Sequence, residues 1–190
     1  MKKVFSLLAL VAAFTFALNN ANAQESFGSA GLEIAIPVGD FGDIANLGIG
    51  GSGNFEIGLS DQFAILAHAG VLFYATDDIE FGETTVETSL TQIPLQVGGR
   101  YYLSDQKEGL FLSGLVGVHI TSTSVEDESD SSTDLSFAPE VGFFLNENIS
   151  VSLRYQFITS EVETIDPVTF EPETENQTNS YLGLRAAYNF

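Results

Sequence analysis

Six charged residues lie within long stretches of alternating hydrophobicity: Glu33, Glu56, Arg100, Glu140, Arg154 and Arg185. In extended backbone, successive side chains point to opposite faces, and each of the six falls opposite the large apolar set of its segment. Three carboxylates and three guanidinium groups turned to one side can do two kinds of chemistry. They can form a static core of paired charges, or a gate if the pairs switch. A buried charge without a partner is costly, so pairing is required in either case, and buried pairs mostly serve structure or specificity. The static core is therefore the expectation. His68 and His119 share that side on non-neighbouring segments. A metal or acid–base pair would need a third ligand or a nucleophile, and none is evident, so hydrogen-bonded interior side chains are expected. With no cysteine, a thiolate metal site, a disulfide and a lipid-anchored N-terminus are all excluded. No nucleophile–base–orienter set and no cofactor motif stands out, so the chain reads as a non-enzyme with no cofactor. Acidic runs at Asp77 to Glu87, Glu126 to Asp134 and Glu161 to Glu175 offer oxygen ligands to divalent cations, but lack calcium-loop spacing. A solvated, self-repelling surface is the simpler reading of them.

The elements that must position these groups begin after a leader. Lys2 and Lys3 precede an apolar run from Val4 to Leu18, and Ala21-Asn22-Ala23 follows. That is the layout of a Sec signal peptide with cleavage between Ala23 and Gln24, and the run is shorter than the ~20 residues of a spanning helix. The remaining Gln24–Phe190 carries four bases against 26 acids, a net charge of −22. Such a surface repels nucleic acid. Abundant Val, Ile, Leu and Phe argue against disorder.

Period-two segments predict eight strands: Phe27–Ile36, Leu47–Leu59, Gln62–Tyr74, Leu90–Leu103, Leu110–Thr121, Leu135–Leu145, Ile149–Ile158 and Tyr181–Phe190. Most are longer than the ~5–6 residues usual in globular proteins and fit the ~9–11 of a tilted membrane strand. The connections alternate. Ser60-Asp61, Ser104–Gly109 and Asn146–Asn148 are short, whereas Pro37–Asn46, Ala75–Ser89, Ser122–Asp134 and Thr159–Ser180 are long and polar. The four long ones hold 18 of the 26 acids and no lysine or arginine. Short turns on one side and long loops on the other indicate a monomeric, all-β, eight-stranded antiparallel up-and-down transmembrane barrel, with both termini periplasmic. Aromatics near the periplasmic ends of the apolar face (Phe55, Phe63, Tyr101, Phe143, Tyr188, Phe190) would form an interfacial girdle. Eight strands leave an interior that side chains fill, so a wide pore is disfavoured. A narrow gated channel for ions or small solutes, and a soluble secreted barrel with its apolar face inward, remain the alternatives.

Four segments carry a family resemblance: Ile36-Pro37-Val38-Gly39-Asp40-Phe41-Gly42-Asp43, Ile93-Pro94-Leu95-Gln96-Val97-Gly98-Gly99-Arg100-Tyr101-Tyr102, Ser152-Leu153-Arg154-Tyr155-Gln156, and the ending Leu182 to Phe190. With them the chain resembles the small outer-membrane β-barrel domain proteins common in the Bacteroidetes, similar in plan to OmpA and OmpX. The resemblance implies export to the outer membrane, and the barrel itself reads as serving a structural, surface-interaction or barrier role. Outer-membrane lipid and lipopolysaccharide are then the expected surroundings, and the carboxylates of the acidic loops could hold divalent cations that bridge to lipopolysaccharide phosphates. The resemblance also implies recognition of the terminal strand, through Tyr188 and Phe190, by the barrel-assembly machinery. Arg185 stands where that family's terminal strand usually has glycine, with Gly183 two residues earlier.

Overall fold

The computed structural model describes residues 26–75, 79–81, 84–86, 88–104, 107–125, 128–165 and 172–190. The expected leader and its cleavage point between Ala23 and Gln24 lie outside the described residues. The strands are β1 (Ser26–Val38), β2 (Gly48–Ser60), β3 (Phe63–Tyr74), β4 (Ile79–Phe81), β5 (Thr84–Val86), β6 (Thr88–Tyr102), β7 (Gly109–Val125), β8 (Glu128–Asn146), β9 (Ile149–Ile165) and β10 (Pro172–Asn189). A 3₁₀ turn, Gly39–Asp43, follows β1. Eight strands close into an antiparallel barrel in the order β1-β10-β9-β8-β7-β6-β3-β2, and β4 and β5 form a separate hairpin. Each barrel strand therefore lies beside its chain neighbour, which is the expected up-and-down topology.

Alternation explains the closure. Leu32, Phe55, Val97, Leu112, Val141 and Leu153 point outward and are exposed, while Glu33, Glu56, Gln96, Ser113, Glu140 and Arg154 are buried inside. An apolar exterior around a polar interior is the reverse of a soluble ligand-binding barrel, so that alternative does not hold. The barrel is sealed where β1 meets β10, in register from Ser29↔Asn189 to Val38↔Ser180. Beyond this ladder, Gly28 and Phe190 exchange backbone hydrogen bonds of 3.2 and 2.9 Å. On β3, the outward Phe63 and Phe73 are ten residues apart. At ~3.3 Å per residue and ~40° of tilt they stand about 25 Å apart, the height of an outer-membrane apolar band.

The structure corrects the loop boundaries. Ser122–Asp134 and Thr159–Ser180 are not open loops, because the β7–β8 ladder runs to Val125↔Glu128 and the β9–β10 ladder to Pro172↔Ile165. Ala75–Ser89 contains the β4–β5 hairpin. Alternation reports two faces in different environments, and it fades where both faces are wet. Extended backbone persists there because Thr and Val favour it and because the ladder satisfies the N–H and C=O groups. The β8–β9 ladder stops at Leu135↔Thr159, so the two hairpins part above that level.

One inward glycine sets the packing at the periplasmic end. A Cβ at Gly142 would stand 2.1 Å from Phe111 Cζ, so the Phe111 ring occupies the place of a side chain on the facing strand. Gly142→Ala is expected to displace this ring and cost about 1–3 kcal/mol, as overpacking does. Urea unfolding from lipid vesicles measures it, and an unchanged midpoint would show that the ring lies elsewhere.

Candidate functional site: the charged lumen

All six charged residues enter one interior. Glu33 comes from β1, Glu56 from β2, Arg100 from β6, Glu140 from β8, Arg154 from β9 and Arg185 from β10, and each is between 1 and 6 % exposed. Two pairs are direct cross-strand partners, Glu33↔Arg185 across the closing seam and Glu140↔Arg154 across β8 and β9. The register of the backbone thus delivers opposite charges to the same level.

Their contacts form one chain of alternating sign. Glu56 pairs with Arg100, whose other Nη reaches Glu140 Oε1 at 2.9 Å. Glu140 Oε2 lies 3.9 Å from Arg154 Nε, and Arg154 Nη2 is 2.6 Å from Glu33 Oε1. Glu33 Oε1 is in turn 3.6 Å from Arg185 Nε. Serines satisfy several further donors and acceptors, while Arg154 Nε makes no hydrogen bond. Ser52 donates to Glu33 at 2.6 Å and accepts from Arg185 Nε at 2.8 Å. Ser113 accepts from Arg100 Nε at 2.9 Å and donates to Glu140 at 3.2 Å. Ser152 donates to Glu140 at 3.3 Å, and Ser29 accepts from Arg185 at 3.1 Å. No guanidinium in this layer lacks a carboxylate, which is the condition for holding charge in a medium of low dielectric.

Apolar layers lie on both sides of the chain. At the periplasmic end, Phe27, Ala64, Tyr102, Phe111 and Phe144 cluster, with the Tyr102, Phe111 and Phe144 ring centroids 5.4 to 6.3 Å apart. Arg100 lies 3.9 Å over the Phe111 ring, and the Tyr102 hydroxyl donates to Glu56, so this layer is tied to the charges. At the extracellular end, Leu72, Tyr74, Leu90, Ile158 and Tyr181 cluster beneath Phe41, which the 3₁₀ turn inserts from above. Its ring is 5.3 Å from that of Tyr74 in an edge-on contact.

Sequence parity anticipated the charges but not these layers. Their signal is a loss of alternation at strand ends: Tyr101-Tyr102-Leu103, Leu110-Phe111-Leu112 and Phe143-Phe144-Leu145 are apolar on both faces. Phe41 could not be read this way, because it lies outside any strand.

The two histidines are not brought together as a pair. Arg154 Nη1 donates to His68 Nε2 at 2.9 Å, so His68 Nδ1 carries the proton given to Asn54 Oδ1 at 2.7 Å. His119 Nε2 is 3.3 Å from the Tyr181 hydroxyl. Among the described residues no group of three or more His, Cys, Asp or Glu could hold a metal ion. Most side chains of the acidic segments fall outside the described residues. Of those within, Asp130 accepts from the Ser131 N–H at 2.9 Å and Asp134 from the Ser132 hydroxyl at 2.7 Å. Tyr188 and Phe190 point outward at the periplasmic end of the last strand and are exposed.

Arg154 is the hub, touching Glu33, Glu140 and His68. Arg154→Met keeps much of its length but leaves Glu33 with Arg185 alone and Glu140 with Arg100 alone, three buried carboxylates against two guanidinium groups, and is expected to cost about 3–5 kcal/mol. Adding Glu33→Gln should recover part of that loss. Urea midpoints in vesicles test both, and strictly additive losses would mean that the two residues do not interact.

The fold and sequence were compared with known proteins. The family described as outer membrane protein beta-barrel domain matches residues 6–190. No curated protein matches the sequence. Among solved structures, the attachment invasion locus protein Ail of Yersinia pestis, in complex with the heparin analogue sucrose octasulfate, is similar at a TM-score of 0.60 and 15 % identity, covering 87 % of this chain and 97 % of that one. The N-terminal β-barrel domain of Pseudomonas aeruginosa OprF is similar at 0.52 and 12 % identity, covering 89 % and 100 %. The outer membrane protein OprG of the same organism is similar at 0.51 and 14 % identity, covering 87 % and 95 %. At such identities these structures speak for the fold alone. With the match across nearly the whole chain and an apolar exterior about as tall as a bilayer, the protein belongs to the outer membrane protein beta-barrel domain family and resides in the outer membrane.

Proposed function

We propose that this protein is a structural and surface-interaction barrel with a closed lumen, neither an enzyme nor an open pore. The observation that carries the reading is the alternating chain Glu56–Arg100–Glu140–Arg154–Glu33–Arg185, held between two aromatic layers. Opening a path would require breaking paired, buried charges and moving a ring layer at each mouth. The described residues also bring no nucleophile, base and orienter together. In this reading the barrel is a monomer, the assembly machinery reads Tyr188 and Phe190, and lipid and lipopolysaccharide surround the wall.

Charge distribution sets the kind of surface partner. Arg100, Arg154 and Arg185 are buried and Lys107 sits on the periplasmic β6–β7 turn, so the extracellular hairpins carry acids and no base. The solved Ail structure holds a sulfated heparin analogue. This chain offers such an anion no cation, so its extracellular partners are expected to be cationic or bridged by divalent ions. A narrow gated channel is the second reading, and the 3.9 Å contact between Glu140 and Arg154, the longest link in the chain, is what favours it.

Planar-bilayer recordings of the purified protein decide between them. The wild type is expected to be silent, and so is Phe41→Ala, because removing the outer ring leaves the charged layer intact. Regular conductance steps from the wild type would sink the closed-lumen reading. Migration on a denaturing gel should also differ between boiled and unboiled samples, and identical migration would mean that the barrel unfolds in detergent.

A further inference from the structure

The β8–β9 ladder ends at Leu135↔Thr159, and above that level each of the two strands keeps one neighbour. β8 runs on through Glu128–Asp134, paired with β7 as far as Val125↔Glu128. Among the described residues, no strand pairs with the other side of this segment. Behind it, β6 stays paired with β7 up to Thr88↔Val125, so β8 is the outer edge of a three-stranded sheet. The facing bank is weaker: β9 pairs there with β10, and β10 loses β1 beyond Val38↔Ser180. Three strands hold an extended edge in place where two are marginal. The β8 edge also stands clear of the apolar band. Going up the strand, the outward Phe137 and Leu135 give way to Thr133 and Ser131, and residues 130–133 are all exposed.

We propose that this edge, Glu128–Asp134, is a docking site for an extended basic segment of a partner protein, which adds to the sheet as a fourth strand. The proposal rests on the surface-interaction reading above and gives that partner a mode of binding. Along a strand, N–H and C=O groups turn alternately to one neighbour and the other, so about half of those on this segment face the gap. A partner's backbone can pair with them. Proteins commonly blunt such an edge with lysine, proline or a bulge. Glu128–Asp134 contains neither lysine nor proline, and its pairing with β7 runs without a register shift.

Charge selects the occupant. The segment Glu128-Ser129-Asp130-Ser131-Ser132-Thr133-Asp134 holds acids, no base and no large apolar residue, and Glu161 and Glu163 follow Ser160 on the opposite bank. Like charges on neighbouring strands repel, so a second copy of the same edge is a poor partner. A strand with lysine or arginine at alternate positions enters between two acidic banks and meets Asp130 and Asp134, which share a face of β8. A free divalent ion would use carboxylates and leave the edge N–H groups unused. Among the described residues no group of three or more His, Cys, Asp or Glu is placed to hold one. A basic strand uses both the carboxylates and the backbone.

The probe is a synthetic peptide of alternating lysine and threonine, about as long as the edge, added to the full barrel in detergent micelles. A control peptide is methylated on its amide nitrogens, which keeps every charge and removes the backbone donors. The parent peptide is expected to bind roughly tenfold more tightly than the control, since several hydrogen bonds separate them. It should slow hydrogen exchange within Glu128–Asp134 and leave Ser160–Ile165 unchanged. Asp130→Asn combined with Asp134→Asn should weaken binding roughly fivefold, while the heat-dependent gel shift persists because both residues lie above the membrane wall. The chain has no cysteine, so Thr133→Cys places a single thiol on the edge and Ser104→Cys a single thiol at the periplasmic turn. A cysteine-bearing peptide should form a disulfide at position 133 and not at 104. Equal binding of the methylated peptide would overturn strand addition while leaving a cationic surface partner in place, and failure of both peptides to bind would remove that partner as well. Protection confined to Ser160–Ile165 would move the site to β9, and a disulfide between two barrels at position 133 would give the edge to a second copy. Either result overturns the proposal. A failure of the closed-lumen reading would appear in the conductance records instead.

Discussion

A chain crossing hydrocarbon has no water to satisfy its backbone, so every N–H and C=O within the membrane must find a partner in the protein. In this molecule the last such requirement is met at one seam, where β10 pairs with β1 from Ser29↔Asn189 to Val38↔Ser180. Without it, two strand edges would face lipid unpaired, and no other feature of the wall could persist. The end of the chain serves this seam. Phe190 exchanges backbone hydrogen bonds with Gly28, and a Cβ at position 28 would meet the Phe190 ring at 2.6 Å.

Closure with only eight strands then dictates the interior. A barrel of this size leaves space that side chains fill, so whatever points inward is removed from water. Guanidinium and carboxylate groups survive there only as pairs, and the six of them meet in one chain because the barrel brings β2, β6, β8, β9, β1 and β10 around one narrow axis. The seam and the core are thus coupled, since the Glu33↔Arg185 pair lies within the ladder that closes the barrel. A register slip of one residue on β10 would send Arg185 to lipid and leave Glu33 without that partner. The charges therefore do more for register than for net stability, which matches the best-attested use of buried ionic groups.

The same partition of charge shapes the exterior. With three of the four bases of Gln24–Phe190 consumed inside, the loops are left acidic and the wall uncharged, and Lys107 alone carries positive charge at the periplasmic rim. The two faces of the membrane consequently meet surfaces of different character. Outside, hairpins rich in Asp and Glu repel polyanions.

Much of this was legible in the residues themselves. Alternation is a local property, so Leu153, Arg154 and Tyr155 announce their faces without any knowledge of the fold, and strand length together with the alternation of short and long connections implies a membrane barrel of eight strands. The six inward charges followed from parity alone. Which acid meets which base did not, because Arg100 and Glu56 are separated by β3 in the barrel and by 44 positions in sequence. Nor did the aromatic layers, since a residue such as Phe111 or Tyr102 is apolar whether it faces lipid or seals a mouth. Phe41 and the extended hairpins were hidden for a related reason, as alternation carries no information where both sides of the backbone share one environment. Local chemistry assigned the faces, and only the curvature and register of the closed wall decided which inward groups would touch.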